Sequence, residues 1–398
     1  MRFNFTEEEM AFRSEVEDFA RTELPADWDE RALYWPAGYG TFPGIEEGFK
    51  EMYDRLLLKL GRKGWLSLSW PKECGGMNSM MKHVILDDVM SYHRAPGGDV
   101  STGICGPAIT LLGSDDMKKE WLPRIAAGEL RFWLGYSEPN SGSDLASIKT
   151  RAEDHGDEFI LNGQKIWSSG AHIADYGWVL AKTDQGAPKY RGETLMLVDN
   201  KTPGITIRPI VNICGIHSFN EVFFDDVRVP KKNVVGQINQ GFYSVMVALH
   251  FERIFVGAGA FRRVLDELVR YVKETKRNGK ALSEDPLIRN KLAAMAVEIE
   301  TLYGFYWRTA WMMDQGLVPE LEASSLKVFG TELSRKLAGT AMEILGPYGH
   351  LERGSKWAPL RGLVNLGYMD SISGAIGAGT SEIQRGIIAT RGLGMPRK

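Results

Sequence analysis

The segment Glu158-Phe-Ile-Leu-Asn-Gly-Gln-Lys-Ile-Trp167 places apolar and β-branched residues on both sides of Asn162-Gly163. An Asn-Gly pair between such runs is a strong signal for a tight β-hairpin turn. Short strand-like runs cut by turn residues recur from Phe132 to Val235, among them Thr206–Pro209 and Val222–Val229. The sequence therefore predicts a continuous block of β-structure in the middle of the chain.

Helical signals flank this block on both sides. Thr6 and Glu9 have the spacing of a capping box, and Pro25 marks the end of the helix that follows. Asp285-Pro286 predicts the start of a later helix, and Gly346-Pro347 the end of another. The expected buried stripe of the first helix is Phe12, Val16, Phe19 and Ala20. Residues 28–50, rich in aromatics, are expected to be a packed irregular segment, because disordered linkers are poor in aromatics.

Composition excludes several classes of protein. The 398 residues carry 48 basic and 51 acidic side chains, a net charge of −3, so the basic face that nucleic acids require is not expected. The chain has no apolar run near the ~20 residues of a membrane span. Cys74, Cys105 and Cys214 are an odd number at wide spacings, so neither a disulfide framework nor a zinc site is expected. With no signal peptide in view, a cytoplasmic protein is expected.

Two glycine pairs and one polar loop are candidate ligand contacts. Gly257-Ala-Gly259 and Gly377-Ala-Gly379 do not follow a strand of a βαβ unit, so they favour close backbone approach over a dinucleotide fingerprint. Tyr136–Asp144 is dense in hydroxyls and suits either anionic oxygens or a simple Ser/Asx turn. Trp167-Ser168-Ser169 could pack on a flat heteroaromatic ring or lie in the core.

Glu252 is the most unusual single residue. On a helix its neighbours three and four positions away are apolar: Ala248, Leu249, Phe255 and Val256. An apolar environment raises the pKa of a carboxyl group, and a general base working near neutral pH requires that shift. An ion pair, for example with Arg253, explains the residue equally well. The histidines do not pair with acids or cysteines at the spacing of a metal site, so no metal is expected.

Four segments together resemble the acyl-CoA dehydrogenase family of flavoproteins, in the family's order and over nearly the whole chain. They are Tyr136-Ser-Glu-Pro-Asn-Ser-Gly-Ser-Asp-Leu145, Leu161-Asn-Gly-Gln-Lys-Ile-Trp167, Phe224-Asp-Asp-Val-Arg-Val-Pro230 and Gly377-Ala-Gly-Thr-Ser-Glu-Ile-Gln-Arg385.

The resemblance implies an α+β protein of three domains. These are an N-terminal α-helical domain (residues 1–130), a middle β domain of sandwich or barrel type (131–240) and a C-terminal four-helix bundle (241–398). It also implies FAD, an acyl-CoA thioester substrate, α-proton removal by a base, and hydride transfer from the β-carbon to flavin N5. Electron-transferring flavoprotein is the implied electron acceptor, and a homotetramer the implied assembly.

The position of the base resembles one branch of the family. Most members carry the base directly before the Gly-Thr of the last motif, where this chain has Ala378. The isovaleryl-CoA and long-chain types carry it on a C-terminal-domain helix in a Glu-Arg pair, which Glu252-Arg253 matches. The resemblance therefore implies that Glu252 is the catalytic base.

Other roles follow from the same resemblance. The residues expected to bind FAD are Leu134, Tyr136, Ser137, Ser143, Trp167, Ser168, Ser169, Arg277, Glu343, Gly346, Thr380 and Glu382. Those expected to contact the substrate are Ser143, Tyr243, Arg253, Ala378 and Gly379. The chain departs from the family pattern at Thr275–Gly279, where the usual arginine is displaced to Arg277, and at Glu343 and Pro347, which replace Gln and Gly.

Three alternative functions remain open. The first is a non-oxidative lyase of the desulfinase type on the same fold. The second is a non-catalytic subunit that completes a partner's FAD site, and the third is an oxidase. The aromatic segment 28–50 and the C-terminal Arg391-Gly-Leu-Gly-Met-Pro396 resemble bacterial members that act on branched, cyclic or steroid-like thioesters.

Overall fold

The computed structural model describes residues 4–37, 50–252 and 257–396. The chain divides into two compact units, each with its own core. Unit 1 comprises the described residues of 1–43, 80–96 and 253–398, and unit 2 those of 44–79 and 97–252.

The described residues form twelve α-helices, some joined by short 3₁₀ or π turns. They are α1 Glu7–Glu23, α2 Trp28–Arg31, α3 Lys50–Arg62, α4 Met80–Tyr92, α5 Gly106–Leu112, α6 Asp115–Ala126, α7 Gly241–Glu252, α8 Ala258–Glu274, α9 Pro286–Asp314, α10 Glu320–Leu345, α11 Leu363–Gly374 and α12 Ser381–Ile387. None of the helices in these ranges has the length and apolar character to cross a bilayer.

The β-structure lies in unit 2, apart from one small hairpin. Its strands are β1 Phe132–Gly135, β2 Arg151–Asp154, β3 Glu158–Lys165, β4 Tyr176–Lys182, β5 Glu193–Asp199, β6 Ile205–Val211 and β7 His217–Pro230, and the hairpin is β8 Lys276–Arg277 with β9 Lys280–Ala281. The large sheet has the order β1-β4-β2-β3-β7-β6, with β5 pairing antiparallel to β4. A strand-rich middle region between helical regions confirms the predicted α+β fold class.

Strands β4 and β5 bury both of their faces. Trp178 and Leu180 of β4 pack on one side with residues of helices α5–α7, and Val179 and Ala181 pack on the other side with β3 and β7. Because alternate side chains of a strand point to opposite faces, a strand covered on both sides is apolar throughout. This explains the unbroken apolar run of β4, whose side chains contribute to the core of unit 2 on both faces of the sheet.

The predicted hairpin turn at Asn162-Gly163 is wrong. Strand β3 runs through both residues, and the β3–β7 register shifts between Leu161 and Gly163. The Asn162 side chain accepts from Asp226 N at 3.0 Å and donates to Asp226 Oδ1 at 2.9 Å, which stabilises a bulge. The β2–β3 turn lies earlier, at His155-Gly156-Asp157, where Gly156 has φ +80°.

Unit 1 is a helical bundle in which α8–α9, α9–α10 and α10–α11 pack together, and α4 packs against α8 and α9. The predicted role of Gly259 in close helix approach is confirmed. A Cβ at Gly259 would overlap the carbonyl oxygen of Asp88 on α4. The missing side chain therefore lets α8 and α4 meet backbone to backbone.

The helix ends predicted from the sequence are confirmed. Thr6 and Glu9 form a capping box, α1 ends at Glu23, and Asp285 caps α9 with Pro286 in its first turn. Helix α10 ends at Leu345, with Gly346 at φ +61°. In the aromatic segment, Trp28 and Trp35 are buried as expected, and residues 38–49 lie outside the described residues.

Candidate active site

Helix α7 carries Glu252 as its last residue. The helix packs on β4, β5 and α5, and it buries Val245 and Ala248 in the core of unit 2. Glu252 follows Val245 by seven positions and Ala248 by four, so its backbone lies on the same stripe of the helix. The structure describes Glu252 at the backbone level, and Arg253, Phe255 and Val256 lie outside the described residues.

Tyr243 lies at the other end of α7 from Glu252. They are nine positions apart, which is about 13 Å along a helix and half a turn around it. Tyr243 is 50% exposed, and the neighbouring Phe242 ring contacts Tyr190 edge to face with centroids 4.9 Å apart. The helix therefore does not bring Tyr243 and Glu252 together, although both are predicted to contact substrate.

The loop after β1 is organised by a buried carboxylate. Glu138 accepts hydrogen bonds from Lys149 N at 2.6 Å, Thr150 N at 2.9 Å and Lys165 Nζ at 2.8 Å. Its backbone pairs with that of Ser141 in a tight turn. The two interpretations of Tyr136–Asp144, a simple turn and a loop of accessible hydroxyls, thus describe the same structure. Within it, Ser143 is exposed.

The Trp167 segment begins next to that loop, because Ile166 N donates to Ser137 O at 3.0 Å. Trp167 has φ +60° and is 57% exposed, both unusual for a bulky aromatic residue. Ser169 is half-buried. Ser168 is fully buried, and its Oγ has no hydrogen-bond partner within the described ranges. The side chains open to a ligand here are therefore Trp167 and Ser169.

In unit 1, Ala378 and Gly379 lie in a loop of left-handed backbone, with φ +53° and +82°. The Ala378 carbonyl accepts from Gln384 Nε2 at 3.0 Å, whereas its N–H meets no acceptor among the residues that the structure describes. A fixed carbonyl beside a free N–H leaves a backbone donor available to a ligand oxygen.

Thr380 starts helix α12. Its hydroxyl accepts from Ile383 N at 3.2 Å. The Glu382 backbone N–H and the Thr380 hydroxyl hold the pKa of the exposed Glu382 carboxyl below its usual value. Ser381 Oγ and Gln384 Oε1 are buried and have no partner within the described part of the chain. Buried polar atoms of this kind are expected at a ligand site.

Residues at which the chain departs from the family pattern lie close together at one end of the bundle. Arg277 lies in the β8–β9 hairpin, and a Cβ built on Gly346 would lie 3.8 Å from Arg277 Nη2. Glu343, one turn before Gly346, forms an ion pair with Lys291 of α9. The structure therefore groups Arg277 with Gly346, and the charge of Glu343 is compensated within the chain.

The residues predicted to hold FAD fall into two groups, one in each unit. In unit 2 they lie at the ends of β1 and β3, and in unit 1 they lie in the Ala378 loop, at the start of α12 and beside Arg277. The exposed Trp167 fits an aromatic cofactor ring. Near α12, Ser381 Oγ can donate or accept a hydrogen bond and Gln384 Oε1 can accept one, which fits a ligand that carries hydroxyl groups. The described residues contain no cluster of three or more metal-ligating side chains.

Sequence reasoning missed three supporting residues of unit 2. Lys165 holds the loop after β1, and Asn220 with His172 holds the Trp167 segment. Lys165 is fully buried against Glu138, and Asn220 bonds to Ser168 O at 2.9 Å. Lys165 ends a strand that also contains Asn162 and Gln164, so the composition of the strand did not mark this lysine as buried. No local pattern marks the other two, because their partners are distant in sequence.

Three family descriptions match the chain in succession. They are the acyl-CoA dehydrogenase N-terminal domain over residues 6–129, the middle domain over 134–227 and the C-terminal domain over 239–393.

Curated and solved proteins agree with this match. Acyl-CoA dehydrogenase FadE26 of Mycobacterium tuberculosis is 34% identical over 100% of this chain and 99% of its own length. The structure named Tcur3481-Tcur3483 steroid ACAD has a TM-score of 0.89 and 31% identity, with both chains fully covered. A chain of the ChsE4-ChsE5 complex from Mycobacterium tuberculosis also has a TM-score of 0.89, with 33% identity and full coverage of both chains. The chain belongs to the acyl-CoA dehydrogenase family.

Proposed function

We propose that this protein is an FAD-dependent dehydrogenase that converts an acyl-CoA carrying a bulky cyclic acyl group to the 2,3-enoyl-CoA. Glu252 removes the α-proton, and the hydride leaves from the β-carbon. The observation that carries the proposal is the position of Glu252 at the end of an apolar helix, in a chain that has Ala378 at the family's usual base position.

The surroundings of α7 support a base at this position. Helix residues one and two turns before Glu252, Ala248 and Val245, are buried among apolar side chains. A carboxyl group on this stripe would be costly to ionise, so its pKa would rise toward the pH at which the enzyme works. Since Ala378 has no carboxyl group, the position that carries the base in most family members carries no negative charge in this chain.

The Ala378 loop supports a second role for this chain. The free N–H of Ala378 would donate to the thioester carbonyl, and its left-handed backbone fixes the direction of that donor. Negative charge grows on this oxygen as the α-proton leaves, and one such donor contributes ~3 kcal/mol in comparable enzymes. Gln384 would hold the loop in place through its bond to Ala378 O.

Bound FAD would supply the acceptor for the β-hydride. We propose that Trp167 and Ser169 cover its ring system, that Ser137 and Tyr136 line it, and that Thr380 and Glu382 hold its polar portion. Ser168 would support this segment without contacting the ring system, because its side chain is buried and its backbone N–H and carbonyl both bond to Asn220. Arg277 beside Gly346 would contact the FAD of another subunit.

The substrate class rests on the relatives. The structure named steroid ACAD matches the whole chain, which supports a steroid-like or other polycyclic acyl group. The distance along α7 between Tyr243 and Glu252 is about 13 Å, so a short acyl group at Glu252 would not reach Tyr243.

Assembly with further subunits is part of the proposal. Helix α11 exposes Tyr368 and Ile372 one turn apart, at 48% and 45%, and Ile376 beyond its end at 63%. Exposed apolar faces of this kind are typical of interfaces. We propose a homotetramer, with electron-transferring flavoprotein as the electron acceptor. A mixed oligomer with a related chain is the second candidate, because both solved relatives described above are named as pairs.

A panel of CoA thioesters tests this function. The purified protein is mixed anaerobically with straight-chain, branched and polycyclic acyl-CoAs, and the visible absorbance of the flavin is followed. Loss of absorbance with the polycyclic thioesters, and little with the straight-chain ones, is the expected result. Product release without any loss of absorbance would instead favour a lyase. Hydrogen peroxide formation on admitting air would favour an oxidase.

The oligomer is tested on the same preparation by light scattering. A mass of four chains is expected, and Ile372→Glu should reduce it, because a carboxylate on the apolar face of α11 would have to be buried. A chain that is monomeric, binds no flavin and gains both properties with a co-expressed homologue would favour the mixed oligomer.

A further inference from the structure

Beneath the Trp167 segment lies a cluster of three side chains from unit 2, namely His172, His217 and Asn220. The two imidazole rings stack with centroids 3.9 Å apart and planes inclined by 22°. Asn220 is fully buried and hydrogen-bonds to both rings, with 2.8 Å from its Oδ1 to His217 Nε2 and 3.1 Å from its Nδ2 to His172 Nδ1. We call this group the Asn220 cluster.

The cluster is tied directly to the backbone of the segment above it. Asn220 Nδ2 donates to Ser168 O at 2.9 Å, Ser168 N donates to Asn220 O at 3.1 Å, and Gly170 N donates to Ser218 O at 3.0 Å. Trp167, which immediately precedes these bonds, has φ +60°. A bulky residue in this region carries strain of ~1–3 kcal/mol and persists only where neighbouring contacts hold it.

The orientation of the Asn220 amide follows from its partners. Ser168 O is a carbonyl and can only accept, so the NH₂ group of Asn220 must face it. The same NH₂ group then faces His172 Nδ1, which must be unprotonated to accept. Asn220 Oδ1 in turn faces His217 Nε2, which must carry a proton. One amide therefore fixes the hydrogen-bonding state of one nitrogen on each ring.

We propose that the Asn220 cluster is a positioning unit that holds Trp167 in its strained, outward conformation. Within the described ranges, the ring of Trp167 has an edge contact with that of Phe219, at 6.2 Å between centroids, and 57% of Trp167 is exposed, so packing contributes little to holding it. The role of this positioning rests on the proposed function, in which a Trp167 ring that is already in place contacts the flavin. The geometry of the cluster itself is independent of that function.

The first test needs no cofactor. The chain is labelled with 5-fluorotryptophan, and the resonance of Trp167 among the 11 tryptophans is assigned by its loss in Trp167→Phe. In FAD-free protein, Asn220→Ala and His172→Phe should shift or broaden this resonance. Asn162→Ala, which removes an amide from another irregularity of the same sheet, should leave it in place. A Trp167 resonance unchanged in both cluster variants would overturn the proposal.

The second test asks whether Asn220 acts through Trp167. Asn220→Ala should weaken FAD binding about tenfold in the native background and less than twofold in the Trp167→Ala background, because the two residues would then act as one unit. Turnover should fall through kcat while KM changes little. Equal losses of FAD affinity in both backgrounds would contradict a positioning role. Failure of the proposed function would appear elsewhere, as FAD-loaded protein that transforms no acyl-CoA while the Trp167 resonance still responds.

Discussion

Lys165 Nζ lies 2.8 Å from Glu138 Oε1, and both side chains are buried beneath the loop that carries Ser137 and Ser143. Burial lowers the pKa of Lys165 to about 8, although Glu138 opposes the shift. Burial alone would raise the pKa of Glu138. The charge and hydrogen bond of Lys165 outweigh that effect, so the pKa of Glu138 lies below its usual value. Both groups are therefore charged at neutral pH.

Breaking this pair should be costly. Lys165→Met leaves the Glu138 carboxylate buried without its counter-charge, and we expect a loss of ~3–5 kcal/mol in unfolding free energy by urea titration. Lys231→Met is the control, since its pair with Asp154 is largely exposed and should contribute less than ~1 kcal/mol. Similar losses in the two variants would contradict the assignment.

The same pair predicts a pH dependence. The pKa of Glu138 is lower in the folded than in the unfolded chain, so its stabilisation is present above the ordinary carboxyl pKa and is lost as pH falls through the folded value. Glu138→Gln should flatten the stability profile below about pH 4.5. A profile that stays parallel to that of the native chain would show that the carboxylate contributes nothing.

The buried carboxyl group of Asp87 predicts the opposite dependence of stability on pH. Burial raises the pKa of Asp87 to about 6, against the effect of hydrogen bonds from the Tyr306 hydroxyl and Gly257 N–H, and Asp88 adds repulsion. The folded chain then binds more protons than the unfolded chain between about pH 4 and 6, so stability falls as pH rises through this window, by up to ~3 kcal/mol.

Two variants at this site check the slope by thermal or urea unfolding. Asp87→Asn should remove it, because the amide does not titrate. Tyr306→Phe should extend it to higher pH, because the hydrogen bond that lowers the Asp87 pKa is lost. A Tyr306→Phe profile displaced toward lower pH would be inconsistent with the arrangement.

Two glycines in helices should respond to alanine in opposite ways. Gly259→Ala places a methyl group on the carbonyl of Asp88, and separating α8 from α4 should lower the free energy of unfolding by about 3 kcal/mol. Gly304, within α9, has open space around its Cα, and alanine there should stabilise the chain by up to ~1 kcal/mol. Melting temperatures of the two variants give the comparison, and a neutral Gly259→Ala would mean that the helices are not in contact there.

Sequence patterns correctly predicted the features whose interacting residues lie close together in the chain. The Thr6 capping box, the Asp285-Pro286 start of α9 and the strand at Val222–Val229 all depend on residues a few positions apart. Asn162-Gly163 misled because its amide is taken by Asp226, 64 residues away, in a bulge. Likewise the first amides of α4 are capped by Asp314, from the end of α9, which only the folded bundle brings near.

The candidate site divides in the same way. The motifs that contain Trp167 and Ala378 identify the loops, and the structure adds their strained backbones. The supports, Glu138 with Lys165 and Asn220 with His172, join residues that are 27 and 48 positions apart in the chain, so no short window of sequence contains them. Buried polar residues with distant partners are therefore the part that required coordinates.

The most direct test of the catalytic assignment is a single-turnover comparison of native protein with Glu252→Gln, each loaded with FAD and mixed anaerobically with the best acyl-CoA of the panel. We expect Glu252→Gln to keep FAD and to bind the thioester, but its rate of flavin absorbance loss should fall by a factor of about 10³ or more, since proton removal would lack its base. A variant that bleaches the flavin within tenfold of the native rate would contradict the assignment of Glu252.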